Sequence, residues 1–477
     1  MKIFFVYTFI FFSFFSALAQ TKLSSASSPK GYLIKGKIVG VKNTEVYLAH
    51  YFGSTQQVVK DTAKADGDGN FTFKGKTELP KGLYLITFDQ SKYLDFIMGS
   101  TNFSFETDTL DLINKMKIVG SDENQAFYSF QKEMVSLYEK LRSVPANDPR
   151  FAAIRKSILD YQQAWMLKNK NLFASKLIKA TFEPDMPAFS RPVKNAKDSA
   201  DLFQFQYRYY KKHFFDNVDL NDEKFIRTPF LQKKLEKFFT DLVVQESDSI
   251  TKEADIILAK IKNEDVRKYV IYKISSTYEN HNVIGTDAAF VHMSEKYYIN
   301  EPKLWDTSTV RRIKERVKTL KPLLIGKKIP EMYLTDPAGK LLTLSTSPGN
   351  YTILFIYDPE CSHCKEEAPK LVALNDYLKT KSAIVFAVSI LREKEQWKKF
   401  IAEFKIQNWY NGVDVHVNSK TGKEEYYTDF KNTFDIYSTP IVYVLDRNKK
   451  IIVKRIPIES LKDFIEFHEN KVSGKIK

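Results

Sequence analysis

The sequence predicts a multi-domain protein with an N-terminal antiparallel β-sandwich, a middle all-α bundle and a C-terminal α/β domain. Three patterns support this prediction. Short β-prone runs fill residues 31–118, apolar residues recur every three or four positions through residues 121–320, and strands alternate with helices over residues 325–472. A chain of 477 residues is also long enough for about three domains.

Residues 31–118 contain β-prone runs separated by glycine and Asn/Asp turns, which is typical of a small antiparallel sandwich. The runs are 32–34, 38–39, 46–48, 71–73, 83–86, 96–98 and 103–105. The segment 66–70 resembles the first half of a calcium-binding loop, but Phe71 stands where such a loop needs glycine and Thr77 where it needs a bidentate glutamate. We therefore interpret segment 66–70 as a hairpin turn.

Residues 121–320 carry amphipathic helical patterns. Ser121 can cap a first helix and Pro149 can open a second, and the apolar stripes that follow are typical of a buried core. His213, His281 and His292 also lie in this region, without cysteines or paired histidines at metal-ligand spacing. We therefore predict an irregular helical bundle with no metal site.

The charge of the chain shows no pattern typical of nucleic-acid binding. There are 73 Lys and Arg residues against 58 Asp and Glu residues, so the formal net charge is +15. The lysines are scattered, and the sequence has no basic stripe interleaved with aromatics. We predict a lysine-rich solvated surface and no nucleic-acid partner.

The N-terminus predicts export. Lys2 is followed by an almost wholly apolar run over residues 3–17, and Ala17-Leu18-Ala19 provides a small-x-small cleavage signal. We therefore predict a signal peptide over residues 1–19, with an uncleaved N-terminal anchor as the alternative. Because no other stretch reaches about 18 consecutive apolar residues, we expect the mature chain to be soluble.

Cysteine usage points to redox chemistry. The chain has two cysteines, Cys361 and Cys364, and they form a C-x-x-C pair. Since an exported protein with only these two thiols has no other disulfide to form, we expect the pair to be chemically active. The alternative is a purely structural disulfide or half of a zinc site, but no second C-x-x-C pair exists to complete four zinc ligands.

The C-terminal domain begins after a linker punctuated by Pro322, Gly326 and Pro330. We predict, in order, a hairpin of strands 332–334 and 341–344, a buried strand 351–357, a helix 362–378, a strand 383–390, helices 393–404 and 424–432, strands 441–445 and 451–453, and a last helix to about residue 469. This alternation predicts an α/β layer with the C-x-x-C pair at a strand-to-helix junction.

This element order and three motifs resemble the thioredoxin fold. Cys361-Ser362-His363-Cys364 matches the redox motif, Pro369 matches the proline that kinks the active-site helix, and Thr439-Pro440 matches the cis-proline beside the dithiol. The added hairpin and the export signal resemble the envelope TlpA/ResA-type subgroup. The β-sandwich and helices in front resemble multi-domain exported thioredoxin-like proteins of Bacteroidetes. The specific part of the resemblance covers residues 325–472.

The resemblance implies a role for each motif residue. Cys361, at a helix N-terminus where the macrodipole favours negative charge, is the nucleophile, and Cys364 resolves the mixed disulfide. The oxidised protein then contains a Cys361–Cys364 disulfide, and the redox-active cysteine pair replaces any cofactor or metal. His363 tunes the thiolate pKa, with a merely solvent-exposed loop residue as the alternative, while Thr439 and Pro440 present backbone to a bound substrate.

The sequence departs from the thioredoxin pattern at two positions. Phe355 stands six residues before Cys361, where the family often buries a carboxylate, and Glu360 replaces the tryptophan that precedes the motif. Asp358 and Glu360 are closer to the motif, and we expect both to be exposed. A peroxiredoxin is excluded because the sequence lacks a Pro-x-x-x-Thr/Ser-x-x-Cys frame around either cysteine.

We predict an exported thiol-disulfide oxidoreductase of the bacterial periplasm or cell envelope, with reductase activity favoured. Its expected partners are disulfide-bearing or thiol-bearing envelope proteins and a membrane electron donor. A disulfide oxidase or isomerase, and an envelope partner-binding protein with an ancillary redox domain, are the alternatives. Copper handling through Cys361, Cys364 and His363 is a third, for which His416 is the nearest further histidine in sequence.

Overall fold

The computed structural model describes residues 31–89, 91–99 and 101–474. The predicted signal peptide, residues 1–19, lies outside these residues. The described chain divides into two compact units, the first comprising residues 31–51 and 57–175, and the second residues 52–56 and 176–474. The α/β region at the C-terminus therefore shares a unit with helices of the middle region.

In its described residues, the first unit contains two four-stranded sheets. Their strands are β1 (Tyr32–Val39), β2 (Glu45–Phe52), β3 (Gln56–Lys64), β4 (Asn70–Gly75), β5 (Gly82–Thr87), β6 (Tyr93–Met98), β7 (Asn102–Asp108) and β8 (Lys117–Val119). The sheet orders are β4-β1-β7-β8 and β3-β2-β5-β6. Side chains from both sheets, such as Ile34, Leu48 and Phe96, fill one common core, so the two sheets form a sandwich.

One strand pair departs from the antiparallel arrangement. β1 pairs with β4 antiparallel but with β7 parallel, with Ile34 opposite Phe103. Parallel neighbours need a long crossover connection, and all four strands of the opposite sheet, β2, β3, β5 and β6, lie between β1 and β7 in the chain. The sandwich is therefore mixed at this pair rather than wholly antiparallel.

Two helices of the predicted all-α bundle belong to the first unit. They are α1 (Asp122–Arg142) and α2 (Pro149–Lys168). Ser121 caps α1 through its side chain, and Pro149 occupies the first turn of α2, as the sequence predicts. Because Tyr128 of α1 is part of the sandwich core, the predicted boundary between residues 118 and 121 falls inside a single unit.

The chain continues as helices up to residue 320. In the described residues they are α3 (Phe173–Lys179), α4 (Ala196–His213), α5 (Pro229–Asp241), α6 (Ser247–Ala259), α7 (Glu264–Glu279), α8 (Asp287–Met293) and α9 (Thr307–Leu320). Their apolar stripes form a core, as Leu231, Leu235 and Phe238 of α5 show by their burial. Across the described ranges, no helix combines the length and apolarity needed to cross a membrane.

The α/β region contains a seven-stranded sheet in its described residues, ordered β10-β9-β13-β12-β11-β16-β17. Its strands are β9 (Tyr333–Thr335), β10 (Leu341–Thr343), β11 (Tyr351–Tyr357), β12 (Ala383–Ser389), β13 (Tyr410–Val413), β16 (Ile441–Asp446) and β17 (Ile451–Lys454), and β14 (His416–Val417) and β15 (Glu424–Glu425) form a separate hairpin. The helices are α10 (Ser362–Ala373), α11 (Asn375–Thr380), α12 (Lys394–Glu403), α13 (Phe430–Phe434) and α14 (Leu461–Val472).

The central strand β11 separates two apolar cores. It runs parallel to β12 and antiparallel to β16. Phe355 and Tyr357 point into one core, which also contains Cys364 of α10, whereas Leu354 and Ile356 point into the other. A strand buried on both faces explains the continuous apolar run. Its carboxyl end leads the chain directly to the start of α10.

The predicted helix over residues 424–432 is wrong. Glu424 and Glu425 instead form β15, and helix α13 begins only at Phe430. The reason lies in the buried carboxylate of Asp414, which accepts hydrogen bonds from the N–H groups of Tyr427 at 2.9 Å and Thr428 at 3.0 Å. These two amides are therefore not available to a helix, and the chain remains irregular up to α13.

Candidate functional site

Cys361 lies at the N-terminal end of α10. After β11 ends, the chain turns, and the N–H of Cys361 donates a hydrogen bond to the carbonyl oxygen of Asp358 at 3.1 Å. Cys361 has extended backbone angles, φ −72° and ψ 125°, and occupies the capping position of α10. Unpaired amides at a helix N-terminus favour negative charge, so this position suits a thiolate.

The two cysteines differ in exposure. Cys361 is partly exposed, whereas Cys364 has no exposed surface and packs with Phe355, Tyr357 and Leu371 in the core on one side of the sheet. Both are free thiols in the structure. The outer thiol is therefore accessible to another protein, and the inner thiol is shielded from one.

The surroundings of Cys361 lower its pKa. Partial burial acts to raise it, but hydrogen bonds from the backbone N–H of Cys364, from the side chains of Thr439 and Cys364, and from the backbone N–H of His363 outweigh burial. They hold the pKa of the Cys361 thiol below its ordinary value because each stabilises the thiolate. Cys361 is therefore the more readily ionised of the two.

The pKa of Cys364 moves in the opposite direction. Burial, assisted by the neighbouring Cys361, raises the pKa of the Cys364 thiol to about 12, against the lowering effect of hydrogen bonds from Thr439 and from the backbone of Asp358. Near neutral pH, Cys364 thus stays protonated until a nearby sulfur reacts.

The segment Thr439-Pro440 lies beside Cys361. It precedes β16, and its peptide bond is cis, as the sequence resemblance implies. The Sγ atom of Cys361 donates a hydrogen bond to the carbonyl oxygen of Thr439 at 3.4 Å. Thr439 and Pro440 are half-buried, so the backbone of this segment borders both the thiol and the solvent. The structure thus brings together Cys361, Cys364 and the segment 439–440.

Two family models match the chain. Residues 32–127 match a domain of unknown function, DUF4369, and residues 325–454 match the AhpC/TSA family. The chain is also 44% identical to a solved domain of a possible thiol-disulfide isomerase from Cytophaga hutchinsonii, over 32% of this chain and 98% of that one, with a TM-score of 0.29. Residues 325–454 therefore belong to the thioredoxin-like AhpC/TSA family.

Further solved structures are similar to this thioredoxin-like chain. A thioredoxin-like protein from Bacteroides caccae is 20% identical over 60% of this chain and 100% of that one, with a TM-score of 0.45. A thiol-disulfide oxidoreductase from Bacteroides fragilis is 20% identical over 30% of this chain and 98% of that one, with a TM-score of 0.25. No curated protein matches the chain. The thioredoxin-like AhpC/TSA domain at residues 325–454 makes the chain an enzyme of the thiol-disulfide oxidoreductase class.

In this thioredoxin-like site, His363 interacts with the Cys361 sulfur through its backbone N–H. Its side chain is exposed, whereas its backbone N–H is one of the groups that lower the pKa of Cys361. A tuning role for the imidazole itself stays a prediction.

In this thioredoxin-like domain, the residue at the position where the family often buries a carboxylate is the apolar Phe355. Phe355 has no exposed surface, and its ring stacks on that of Tyr357 with 5.2 Å between centroids. Asp358 is half-buried and accepts a hydrogen bond from the N–H of Glu360 at 2.8 Å, and Glu360 is exposed. The expectation of exposure is therefore confirmed for Glu360 and only in part for Asp358.

Sequence reasoning missed two polar groups behind Cys364. The hydroxyl of Tyr357 and the indole N–H of Trp397 are buried in the core that contains Cys364. Among the described residues, neither forms a hydrogen bond of ordinary distance and angle, although the Trp397 side chain is close enough to oppose the rise that burial causes in the pKa of Tyr357. The only signal for them in the sequence is a tyrosine at the end of an otherwise apolar strand, which by itself indicates packing.

A pocket of about 330 Å³ lies beside Pro440. Ser438 and Pro440 line it from the loop before β16, Glu367 lines it from α10, and Arg455 and Ile458 line it from the segment after β17. The pocket therefore adjoins the segment 439–440, whose Thr439 carbonyl oxygen contacts Cys361. Residues 455–458 carry no motif, so the sequence did not predict their place in this site.

The structure does not bring His416 to the cysteines. Its Nε2 lies 2.9 Å from the carbonyl oxygen of Tyr333 and 3.4 Å from the carboxylate of Asp414. Within the part of the chain that the structure describes, no three His, Cys, Asp or Glu side chains form a group that could hold a metal ion. The copper alternative therefore lacks its additional histidine ligand.

Proposed function

We propose that the protein reduces disulfides of bacterial cell-envelope proteins through Cys361 and Cys364. The observation that supports this most strongly is the difference between the two thiols. Cys361 is partly exposed and its pKa is lowered, whereas Cys364 is buried and its pKa is raised to about 12. A nucleophile needs access and a thiolate, while a resolving thiol must be kept from other partners.

The reaction begins at the Cys361 thiolate. It attacks one sulfur of a substrate disulfide, which forms a mixed disulfide and releases the other substrate sulfur as a thiolate that takes up a proton. Cys364 then loses its proton and attacks the sulfur of Cys361. This second step forms the Cys361–Cys364 disulfide and releases the remaining substrate sulfur, which is also protonated. The substrate gains two electrons and two protons, and the protein dithiol is oxidised.

A thiol donor must then return two electrons to the disulfide. We assign this role to a membrane-bound dithiol protein, because a repeated exchange of the same kind regenerates both thiols. No metal or organic cofactor is needed in this scheme, since the cysteine pair itself stores the electrons.

Thr439 and Pro440 are the proposed substrate-binding residues. The Thr439 carbonyl oxygen lies 3.4 Å from the Cys361 sulfur, and the residue is half-buried. An extended substrate segment that pairs with this backbone would place its own sulfur next to Cys361. Backbone pairing recognises any extended polypeptide, which suits an enzyme with several protein substrates.

The exposure of His363 favours a reductase over an oxidase. A protonated imidazole close to the thiolate would stabilise the dithiol and make the couple oxidising. The ring of His363 is exposed, and an exposed charge contributes about 1 kcal/mol or less. A disulfide oxidase or isomerase is the second candidate, supported by the 44% identity to the domain of a possible thiol-disulfide isomerase.

The proposed location rests on residues 1–19. Their charged start, apolar run and small-x-small end are typical of a signal peptide, and an exported thiol-disulfide enzyme meets the proteins that contain disulfides. A fusion of residues 1–30 to an alkaline phosphatase that is active only outside the cytoplasm should give active enzyme. An inactive fusion would contradict export.

Reduction of insulin by dithiothreitol tests the activity. The full-length protein should accelerate precipitation of the insulin B chain, and Cys361→Ser should abolish this effect. Equilibration with glutathione buffers gives the direction, since a potential near thioredoxin's (about −270 mV) supports a reductase and one near DsbA's (about −120 mV) supports an oxidase. If the protein does not accelerate the reaction, the redox proposal fails and the partner-binding alternative is favoured.

A further inference from the structure

Asp435 begins the loop that carries Thr439. It directly follows α13 and has a left-handed backbone, φ 56°, which aspartate tolerates better than most residues. Its side chain is 6% exposed, so the carboxylate needs charged or hydrogen-bonding partners. Thr439, whose carbonyl oxygen accepts the hydrogen bond from Cys361, lies four residues further along.

Two arginines from outside the loop bind the Asp435 carboxylate. Arg316 of α9 reaches both carboxylate oxygens, with Nη1 on Oδ1 and with Nη2 at 3.4 Å from Oδ2. Arg455, after β17, donates to Oδ2 at 2.8 Å and to the carbonyl oxygen of Asp435 at 3.0 Å. Both the side chain and the backbone of Asp435 are therefore held in place.

Arg316 is itself fixed within the helical region. Its Nε donates a hydrogen bond to Glu279 of α7 at 2.8 Å, and its side chain is 18% exposed. The planar guanidinium allows one arginine to bind two carboxylates in fixed directions, which a lysine does not. Helices α7 and α9 thus determine where the carboxylate of Asp435 lies.

We propose that Arg316 is a positioning residue of the redox site: it holds Asp435, and through Asp435 the loop that presents Thr439 to Cys361. The inference rests on the proposed thiol-disulfide exchange and goes beyond it, because it assigns a function to the helical region. Helix α9 is then part of the redox apparatus rather than an independent binding module. Displacement of the loop should remove the hydrogen bond from the Thr439 side chain that helps to lower the pKa of the Cys361 thiol.

A second contact between the same regions provides a matched control. Lys454 of β17 pairs with Asp287 of α8 and also donates to the carbonyl oxygen of Leu323 at 2.8 Å. The side chains of this pair are 10% and 13% exposed, comparable to those of Arg316 and Asp435. The Lys454–Asp287 contact does not include the loop before Thr439. A substitution in this pair therefore measures the effect of weakening a contact between the helical region and the α/β region without changing the Arg316–Asp435 pair.

The test compares Arg316→Gln, Arg316→Lys, Asp435→Asn and Asp287→Asn in the full-length reduced protein. The readout is the rate at which iodoacetamide alkylates Cys361 at pH 7, with a Cys364→Ala background removing the second thiol, and thermal unfolding is recorded in parallel. Arg316→Gln and Asp435→Asn should slow alkylation by up to about tenfold, the effect of a one-unit rise in thiol pKa. Arg316→Lys should lie between Arg316→Gln and the parent.

Asp287→Asn should lower thermal stability while leaving the alkylation rate unchanged. The inference is overturned if folded Arg316→Gln reacts at the parental rate, or if Asp287→Asn slows alkylation as much as Arg316→Gln does. If Arg316→Gln does not fold, Asp435→Asn and Arg316→Lys carry the same comparison. Failure of the parent protein to reduce insulin would instead contradict the proposed function, because the alkylation rate does not depend on a protein substrate.

Discussion

The Sγ atom of Cys361 lies 3.4 Å from the carbonyl oxygen of Thr439, although 78 positions separate the two residues in the chain. This contact joins the N-terminus of α10 to the loop before β16, so the nucleophile and the proposed substrate-binding backbone share one surface. Three of the predictions below concern the accessibility and the pKa of the two thiols at this surface.

The order of attack can be tested by trapping. Cys364→Ser should accumulate mixed disulfides with substrate proteins, because the exposed Cys361 still attacks but no thiol resolves the product. Cys361→Ser should trap none, since Cys364 is buried. Non-reducing gels of extracts from cells that express each variant measure both. Trapping by Cys361→Ser alone would reverse the assignment.

The raised pKa of Cys364 predicts a pH-dependent loss of stability. The thiol has a pKa of about 12 in the folded protein and about 9 when unfolded. The contribution of the protonated Cys364 to the free energy of unfolding is therefore fully present below pH 9 and is lost as pH rises toward 12. The difference in unfolding free energy between the reduced protein and Cys364→Ala should therefore fall by about 1.4 kcal/mol per pH unit above pH 9. Denaturant titrations from pH 7 to 10.5 measure it. A difference independent of pH would show that Cys364 is solvated.

Two substitutions separate the ring of His363 from its backbone. His363→Gln retains the N–H that helps to lower the pKa of Cys361, whereas His363→Pro removes it. Loss of a group that stabilises the thiolate disfavours the dithiol, so His363→Pro should make the protein more reducing by roughly 30 mV, equivalent to about 1.4 kcal/mol. His363→Gln should change the potential much less. Equal shifts in glutathione titrations would assign the tuning to the imidazole.

Asn124 is predicted to be important for the stability of the first unit. It has no exposed surface, accepts the N–H of Ile97 at 2.7 Å, and donates to the Ile97 carbonyl at 2.9 Å. Asn124→Leu should lower the unfolding free energy by about 3 kcal/mol, because it leaves two buried backbone groups without these partners. Gln125→Ala, which removes an exposed hydrogen bond from the same helix, should cost less than about 1 kcal/mol in the same urea titration. Equal losses would contradict the role of burial.

Local signals in the sequence predicted local structure well. Ser121 caps α1 and Pro149 opens α2 because capping depends on a few neighbouring residues. The prediction for residues 424–432 was wrong because a distant carboxylate, Asp414, takes the amides that a helix would use. The parallel pairing of β1 with β7 was also not predicted from the sequence, because the relative direction of two strands depends on the path of the intervening chain.

The sequence by itself determined that the chain has one pair of thiols three positions apart, at the start of a helix that follows a buried strand. Those features are local, because helix periodicity and the helix N-terminus act over a single turn. Only the tertiary structure decided that Cys364 has no exposed surface, that the Thr439 carbonyl oxygen lies 3.4 Å from the Cys361 sulfur, and that Arg316 binds Asp435. These contacts join residues far apart in the chain, and their geometry follows from the strand order of the sheet and the packing of α9, which no short-range pattern encodes.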